Sequence, residues 1–252
     1  MKQYRTGLFA GTFDVFRSRH LNMLQGAKAM CDKLLVGIYN DEAVAKASQS
    51  MPLIPFHERC QIVESIRYVD QVIPLIDHDL STVRNQYPVD VVFTETDGVD
   101  MTLSSQLCHE RMDIPDGHQV IGYTTGTFDL FHIGHLNIIR RAKELCDYLI
   151  VGVSTDELVQ SYKHRKPVYK QDERMEIIGS LKYVDKVIEQ KSLDKMDAWK
   201  DYHFNTLFHG DDWKGSQLYN RIEEQLQAVG CQIIYLPHTE GISSSGLRQQ
   251  IK

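Results

Sequence analysis

The 252-residue sequence contains the same pattern twice, and this duplication limits its possible folds more than any other feature. Gly11-Thr12-Phe13-Asp14 recurs as Gly126-Thr127-Phe128-Asp129, 115 positions later. The same interval relates four further pairs of segments: Cys31-Asp32 and Cys146-Asp147, Asp41-Glu42 and Asp156-Glu157, Glu58-Arg59 and Glu173-Arg174, and Tyr68–Asp70 and Tyr183–Asp185. A period this long indicates two copies of a whole domain instead of a solenoid of short repeats. We therefore predict domains at residues 1–115 and 119–252, divided within the polar stretch Arg111–His118.

Each copy alternates short β-branched runs with helical runs, which predicts a parallel, doubly wound α/β sheet. The strands expected in the second copy are Val120–Tyr123, Tyr148–Val153, Lys186–Ile188, Thr206–His209 and Cys231–Leu236. The helices expected there are His135–Cys146, Asp172–Leu181, Leu193–Tyr202, Gln217–Val229 and one that begins at Ser244. The first copy follows this plan to about Thr94, and we expect it to lack the last strand and helix.

The stretch Gly126–His135 is the leading candidate for a binding site. It follows the first strand of the second copy, and ligands of such sheets bind beyond the carboxyl ends of the strands. His132 and His135 are three positions apart at a helix start, where backbone N–H groups attract anions such as phosphate. Gly134 between them lets a ligand approach the backbone. A single histidine here would more often be a cap or a surface residue, but the pair favours ligand binding.

Three further polar stretches follow strand ends and should lie at the same edge of the sheet. They are the basic run Lys163–Lys166, the segment Gly210–Trp213 and the serine-rich segment Thr239–Ser245. Serines that open a helix can cap it and can also bind phosphate. Each stretch has a structural alternative: a solvated loop for the basic run, a core position for Trp213 and a plain cap for the serines. Asp129 has one too, because it could simply fix a turn.

Composition argues against several classes of protein. The net charge is −6, without the basic excess typical of nucleic-acid binders. No apolar run approaches the roughly 18 residues that a membrane span needs. The first residues lack the apolar core of a signal peptide, and five cysteines without a C-x-x-C motif fit a reducing compartment. We expect a cytoplasmic protein that neither binds nucleic acid nor spans a membrane.

The second copy resembles the cytidylyltransferases of the HxGH nucleotidyltransferase superfamily, most of all the bacterial glycerol-3-phosphate cytidylyltransferases. The matching residues are Gly126–Asp129, His132–His135, Arg174, Tyr183–Asp185, Gly210–Trp213 and Thr239–Ser244. The resemblance covers nearly all of Gln119–Lys252, and the tandem arrangement is similar to that of ethanolamine-phosphate cytidylyltransferases. It implies two tandem Rossmann-like nucleotidyltransferase domains.

The resemblance implies transfer of CMP from CTP to a small alcohol phosphate. Glycerol 3-phosphate is the favoured acceptor, giving pyrophosphate and CDP-glycerol for a cell wall or capsule polymer. Phosphoethanolamine or another polyol phosphate is the alternative acceptor, and a nucleotide-binding pseudoenzyme or regulatory subunit is the alternative class. Mg²⁺ is expected on the triphosphate. Members of this family commonly form homodimers. The resemblance therefore implies that the two copies associate as a pseudo-dimer within one chain, and it leaves open a further homodimer of the whole chain.

The resemblance also implies roles for individual residues. His132, His135 and Lys163 would be catalytic, because they would stabilise charge at the reacting phosphate. The residues expected to bind the nucleotide are Thr127, Phe128, Asp129, Gly134, Arg165, Lys166, Asp211, Trp213, His238, Thr239, Gly241, Ile242, Ser243 and Ser244. Lys182 and Arg174 would bind the acceptor, and no protein-bound metal is expected.

The sequence departs from the family at two arginines. Residues 238 and 182 are His238 and Lys182 in this sequence. Neither side chain can make the bidentate hydrogen bonds of an arginine guanidinium. Lys182 corresponds in the first copy to Arg67, which could contribute across the interface of a pseudo-dimer.

The first copy lacks the segments that are expected to bind phosphate in the second copy. Arg17 and Arg19 replace His132 and Gly134. Ser48–Met51 replaces the basic run, and Glu95–Gly98 replaces Gly210–Trp213. We therefore expect a degenerate, non-catalytic first domain that is kept for folding and association.

Overall fold

The computed structural model describes residues 2–94 and 120–251, and the chain divides into two compact units, Met1–Ser105 and Gln106–Lys252. The predicted boundary at Arg111–His118 and the segment Glu95–Gly98 lie outside the described residues, so both remain predictions. Within the described ranges, no helix has the length and apolar character needed to cross a membrane.

The first unit contains one parallel four-stranded sheet in the order β3-β2-β1-β4. Its strands are β1 (Tyr4–Gly11), β2 (Cys31–Tyr39), β3 (Gln71–Leu75) and β4 (Val91–Phe93). Its helices are α1 (Ser18–Met30), α2 (Asp41–Ser48), α3 (Phe56–Glu64) and α4 (Ser81–Gln86). A counterpart of the second copy's last strand would fall after Thr94, in the part of the chain that is not described.

The second unit contains one parallel five-stranded sheet in the order β7-β6-β5-β8-β9. Its strands are β5 (Ile121–Gly126), β6 (Tyr148–Ser154), β7 (Lys186–Gln190), β8 (Thr206–Gly210) and β9 (Gln232–Leu236). Its helices are α5 (Ile133–Glu144), α6 (Asp156–Lys163), α7 (Gln171–Gly179), α8 (Lys195–Tyr202), α9 (Gln217–Gln227) and α10 (Ser244–Gln250). The predicted fold class, two doubly wound parallel α/β units, is therefore confirmed.

The sequence prediction missed one helix of the second unit, α6, which lies between β6 and the basic run. Its start signals are present in the sequence: the Thr155 hydroxyl accepts the Leu158 N–H at 3.1 Å, and two acidic residues occupy the first turn. The prediction also ended four strands one to three residues early. Polar residues such as Thr124 and Gln190 continue these strands toward the carboxyl edge, where they are buried.

The duplication extends into side-chain packing. A β-carbon at Gly122 would lie 2.6 Å from the Phe208 ring and 2.7 Å from the Cys146 sulfur. At Gly7 in the first unit, it would lie 2.6 Å from the Phe93 ring and 3.0 Å from the Cys31 sulfur. Each strand thus needs glycine because a phenylalanine and a cysteine fill the space beside it.

The strand order positions the candidate site. The chain runs from β5 to β6 on one side and later returns from β7 to β8 on the other side, so the order reverses between β5 and β8. In doubly wound sheets the ligand crevice lies at this reversal, beyond the carboxyl ends of the strands. The segment after β5, which leads to His132, and the segment after β8, Asp211–Trp213, therefore border one crevice.

Candidate active site

The turn between β5 and α5 is held in an unusual backbone conformation. Phe128 and Leu130 have φ values of 53° and 50°, in the left-handed region that non-glycine residues rarely adopt. Their counterparts Phe13 and Val15 have φ values of 55° and 47°. All four side chains are buried, which holds the turn despite a cost of roughly 1–2 kcal/mol per residue. The turn delivers His132 to the first position of α5.

His132 is the N-cap of α5, and its hydrogen bonds define its tautomer. Its Nδ1 accepts the Gly134 N–H at 3.1 Å, so the proton of the neutral ring resides on Nε2. That Nε2 lies 3.3 Å from the Ser244 hydroxyl oxygen, and this hydroxyl donates to the Asp129 carbonyl at 2.8 Å. The Ser244 oxygen therefore accepts from His132 while its proton goes to Asp129. The three groups form one directed chain that joins α10 to the start of α5.

His135 stacks on His132, with ring centroids 3.8 Å apart. It also contacts the rings of Phe131 and Phe128, with centroids at 5.8 and 5.4 Å. Its Nδ1 is buried and has no hydrogen-bond partner in the part of the chain that the structure describes. If His135 only supported the fold, we would expect this nitrogen to have a hydrogen-bond partner, because an unpaired buried polar atom costs about 1–3 kcal/mol.

Burial keeps both imidazoles neutral. It lowers the pKa of His132 to about 4, and the nearby His238 adds to the decrease. Burial likewise lowers the pKa of His135 well below its ordinary value, helped by His132 and Lys163. At neutral pH the pair therefore presents uncharged N–H donors and not imidazolium ions.

The equivalent histidine of the first unit has a different environment. The His20 Nδ1 accepts the Arg17 N–H at 3.2 Å, so this imidazole satisfies the start of α1. Burial lowers its pKa to about 4, with Arg19 and Arg17 contributing. His20 is therefore a capping group, and the charges beside it belong to two arginines instead of a second histidine.

A cleft beside the histidine pair collects the basic residues. Its lining is Thr127, Asp129, Val159, Lys163, Arg165, Lys166, Pro167, Ser244 and Arg248. The Lys163 ammonium donates to the Thr127 hydroxyl at 3.0 Å, and the Tyr162 hydroxyl lies 2.9 Å from the same oxygen. Arg165 donates to the Ser245 hydroxyl at 2.9 Å. The structure thus brings the basic run and the serine segment together, as the sequence predicted.

The serine-rich segment forms the start of α10. The Ser243 hydroxyl caps the helix by accepting the Gly246 N–H at 3.1 Å, and Ser244 makes the contacts to His132 and Asp129. Gly241 has a φ of 85°, which favours glycine. A methyl group of Ile242 would lie 3.7 Å from a β-carbon at Gly134, whose nearest neighbour would be the His132 ring at 2.9 Å. Gly134 is therefore required by the imidazole beside it.

Asp129 organises the loop before α7. Its carboxylate accepts the N–H groups of Val168 and Tyr169 at 2.9–3.0 Å and the Arg248 guanidinium at 2.9 Å. The Asp14 carboxylate accepts the two N–H groups 115 positions before these, at 2.9 Å each. With its oxygens occupied in this way, Asp129 shapes the cleft through the loop that it holds.

The structure gives Arg174 a framework role in place of the acceptor contact predicted from the sequence. Its side chain is fully buried, and its guanidinium donates to the carbonyls of Tyr169 and Thr127 and to the Asp156 carboxylate at 2.6–3.1 Å. Arg59 makes the corresponding bonds in the first unit. Because the side chain is fully buried and makes these bonds within the protein, the structure gives it a role in the fold.

The structure places Lys182, the other residue predicted to bind the acceptor, away from the crevice of its own unit. Lys182 is exposed in the turn between α7 and β7, so it lies at the amino edge of the sheet. Asp185, three residues later, accepts the Leu149 N–H at the start of β6 and pairs with Lys143 at 2.7 Å. The crevice lies at the opposite, carboxyl edge.

The segments after β8 and β9 contact each other. The Asp211 carboxylate accepts the His238 N–H at 3.1 Å, and the Thr239 hydroxyl accepts from the Asn137 amide at 3.1 Å. Trp213 is 38% exposed, with its ring 5.9 Å from that of His209, so it is a surface platform and not a core residue. The predicted nucleotide pocket is thus bordered by Asp211, Trp213 and His238.

Sequence reasoning missed Tyr162 and Arg248. Arg248 lies four residues after Ser244, on the same face of α10, and donates to both the Asp129 carboxylate and the Lys166 carbonyl. Helical spacing from the serine segment could have identified it. In residues 2–94 and 120–251, no group of three or more His, Cys, Asp or Glu is placed to hold a metal ion.

Comparison with known proteins agrees with this arrangement. A family model described as cytidylyltransferase-like matches residues 8–113 and 123–250. The glycerol-3-phosphate cytidylyltransferase of Bacillus subtilis (strain 168) is 38% identical over 51% of this chain and 94% of its own length. That of Staphylococcus aureus is 39% identical over 51% of this chain and 92% of its own length.

Other relatives align with more of the chain. A probable ethanolamine-phosphate cytidylyltransferase of Encephalitozoon cuniculi is 24% identical over 86% of this chain and 85% of its own length. The family match and the paired parallel sheets lead to the same assignment. The chain belongs to the cytidylyltransferase-like family, with the family's domain present twice.

Proposed function

We propose that the second unit transfers CMP from CTP to a small alcohol phosphate, with glycerol 3-phosphate as the acceptor. The observation that carries the proposal is the stacked pair of neutral histidines at the start of α5. It lies beside Lys163 and the start of α10. Two relatives that share about half of this chain are named glycerol-3-phosphate cytidylyltransferases, which favours that acceptor.

In the proposed reaction, a phosphate oxygen of the acceptor attacks the α-phosphorus of CTP, and pyrophosphate leaves. The nucleophile is already an anion, so the site needs no general base. Its tasks are to bring two anions together and to stabilise the charge that develops on the α-phosphate oxygens.

The residues of the site suit these tasks. His135 would donate an N–H group to the α-phosphate oxygens, and His132, whose N–H is directed to Ser244, would hold the stacked His135 ring in place. Lys163 and Arg165 would reduce the repulsion between the two anions. The N-terminus of α10 would face the β- and γ-phosphates with its backbone N–H groups. The Ser244 hydroxyl is already used within the protein. We therefore assign Ser244 to positioning His132, and Ser245 and the backbone to the phosphates.

Mg²⁺ on the triphosphate remains a prediction. Asp129 is the carboxylate in the cleft lining, and its oxygens are occupied. We therefore propose that Mg²⁺ would arrive with the nucleotide. The pseudo-dimer and homodimer also remain predictions, and light scattering would test the second.

Pyrophosphate release from CTP, measured separately with glycerol 3-phosphate, phosphoethanolamine and ribitol 5-phosphate, tests the proposal. We expect the highest kcat/KM with glycerol 3-phosphate. Preference for phosphoethanolamine would support the alternative acceptor, which the relative aligned over 86% of this chain favours. CTP binding without release in any mixture would show a pseudoenzyme.

His135→Ala should lower kcat by at least about a hundredfold, because groups that stabilise developing charge typically contribute that much. The matched control is His57→Ala, which removes an exposed histidine of α3 in the first unit and should leave kcat unchanged. A near-wild-type rate for His135→Ala would refute the site.

A further inference from the structure

Tyr162 lies in the last turn of α6, next to Lys163 in the sequence, and is partly buried. Its hydroxyl oxygen is 2.9 Å from that of Thr127, the residue that follows β5. The Lys163 ammonium donates to the same Thr127 oxygen at 3.0 Å. Thr127 and Lys163 both line the cleft, so a direct hydrogen bond joins Tyr162 to the cleft lining.

Tyr162 also contacts Lys163 through its ring. The Lys163 side-chain nitrogen lies 5.5 Å from the centroid of the Tyr162 ring. A cation within about 6 Å of an aromatic face is attracted by the negative charge of that face. Consecutive residues of a helix do not normally face each other. The contact therefore shows that the Lys163 side chain is turned toward Tyr162 and Thr127.

This contact matters because Lys163 is exposed. A lysine carries its charge on a long flexible stem, and it loses more rotamer freedom than most residues when it becomes ordered. That loss opposes binding when the ammonium has to be fixed on an anion. The Thr127 hydroxyl and the Tyr162 ring restrict the ammonium before an anion arrives, so less freedom is lost on binding.

The position of Thr127 places the ammonium near the histidine pair. Thr127 belongs to the turn that leads from β5 to the start of α5. The charge of Lys163 contributes to the lowered pKa of His135, after burial and His132. A lysine held on Thr127 therefore lies where the proposed reaction develops negative charge.

The first unit keeps the framework of this helix end without its tyrosine and lysine. The residues 115 positions before Thr127, Tyr162 and Lys163 are Thr12, Ala47 and Ser48. Helices α2 and α6 each have eight residues, and each is followed by a residue in the left-handed region, Gln49 with a φ of 58° and His164 with a φ of 53°. The helix thus forms with neither side chain, and the degenerate unit lacks both of them.

We propose that Tyr162 is a positioning residue. Together with the Thr127 hydroxyl, it holds the Lys163 ammonium in the orientation that binds the phosphates of CTP. Tyr162 acts through Lys163 and not by contact with a substrate. This inference rests on the proposed transfer reaction and adds to the role given there to Lys163.

The first test measures pyrophosphate release by Tyr162→Phe. This substitution removes the hydroxyl and keeps the ring, so the contact with Thr127 is lost. We expect kcat/KM for CTP to fall by about three- to tenfold, the usual effect of one hydrogen bond. Tyr162→Leu should lower it further, because the attraction between the ring and the ammonium is lost too.

Tyr148→Phe is the matched control. It makes the same chemical change in a tyrosine at the start of β6, at the amino edge of the same sheet. The Tyr148 hydroxyl is buried and has no hydrogen-bond partner within the described ranges, so its removal should leave kcat/KM unchanged.

A double-mutant cycle with Lys163→Met separates positioning from a structural role, since coupled residues give non-additive effects. The measurement is calorimetric titration with CTP in the absence of an acceptor. We expect Tyr162→Phe to weaken CTP binding about three- to tenfold in the wild-type chain. In a chain that carries Lys163→Met, the same substitution should change the dissociation constant by less than about twofold.

The cycle distinguishes failure of the inference from failure of the proposed function. The expected coupling would support the role of Tyr162 even if no acceptor released pyrophosphate. An equal weakening in both backgrounds would show that Tyr162 acts on the fold and not through Lys163, and would overturn the inference. Unchanged CTP binding by Tyr162→Phe would overturn it while leaving transfer by the wild type intact. A wild-type chain that did not bind CTP would overturn both.

Discussion

The chain of hydrogen bonds from His132 through Ser244 to Asp129 makes a quantitative prediction about Ser244→Ala. Removing the hydroxyl deletes the 2.8 Å bond to the Asp129 carbonyl and the 3.3 Å contact with His132 Nε2. The carbonyl and the imidazole N–H both lose their partner, and His132 is only 6% exposed. Only the bond from the Gly134 N–H then holds the imidazole in its stack on His135.

The magnitude follows from the cost of an unpaired buried group, about 1–3 kcal/mol. If misorientation of His132 raises the activation free energy by this amount, kcat decreases by roughly 5- to 150-fold. The KM for CTP should change little, because Ser244 positions an imidazole and does not itself bind the nucleotide. Initial rates of pyrophosphate release at saturating and limiting CTP separate the two effects.

Ser161→Ala is the matched control for this substitution. Its hydroxyl donates to the Leu158 carbonyl at 2.7 Å in an exposed part of α6, so the same chemical change is made away from His132. Ser244→Thr keeps a hydroxyl and should retain most of the rate. If Ser244→Ala instead raised the KM for CTP at constant kcat, the hydroxyl would be a phosphate ligand and our assignment of its role would be wrong.

Three further predictions concern stability and the roles of Arg174 and Lys182. His132 and His20, each 6% exposed, have pKa values of about 4 in the folded chain, against 6.5 when unfolded, so the unfolded chain binds more protons between these values. Stability should be complete above pH 6.5 and decrease as pH falls toward 4, by about 1.4 kcal/mol per pH unit for each histidine. Urea unfolding at pH 7 and pH 5 measures this difference in stability. His132→Asn should remove the contribution of one histidine to the pH dependence of the unfolding free energy. An unchanged pH dependence would contradict the assignment. Arg174→Met should cost several kcal/mol, because the Tyr169 and Thr127 carbonyls each lose a buried donor, at about 1–3 kcal/mol per bond. Lys182→Met should leave the KM for glycerol 3-phosphate within about twofold, and a tenfold rise would restore its acceptor role.

The fold could be predicted from the sequence because its signals are local and repeated. Strand β6 is buried at every position, so its apolar run is continuous, and the 115-residue interval gave each element a second occurrence. Helix α6 was missed because its eight residues bury only Val159 and so produce a weak apolar pattern. The strand ends were set too early because polar residues at the carboxyl edge are buried in hydrogen-bonded contacts, such as that between Ser154 and Gln190.

The site was harder to predict, because a motif shows which residues recur and not what they contact. Arg174 belongs to a matching motif, yet its charge is used to hold two backbone carbonyls and a carboxylate. Strand direction alone could have excluded Lys182, since a residue that precedes a parallel strand lies at the amino edge. Arg248 gave no motif signal, because only tertiary packing shows that its guanidinium reaches the Asp129 carboxylate.

Comparison of the two units distinguishes the residues that support the fold from those that could take part in a reaction. Asp14 and Asp129 hold the same loop, and Arg59 and Arg174 make the same bonds, so these residues serve the fold in both copies. His20 and His135 are also the same residue at the same place. However, His20 caps α1 through the Arg17 N–H, whereas His135 leaves that nitrogen unpaired.

A residue that is retained in both copies can therefore change its role when its neighbours change. Arg17→His with Arg19→Gly would rebuild the histidine pair of the first unit in sequence. The rebuilt pair would still lack a counterpart of Lys163, because Ser48 occupies that position. If transfer depends on binding two anions together, the rebuilt pair should produce no transfer activity in a chain whose second site is disabled by His135→Ala. Under the proposed function, the histidines are thus necessary to the chemistry, but the lysine determines which unit can bind the anions to be joined.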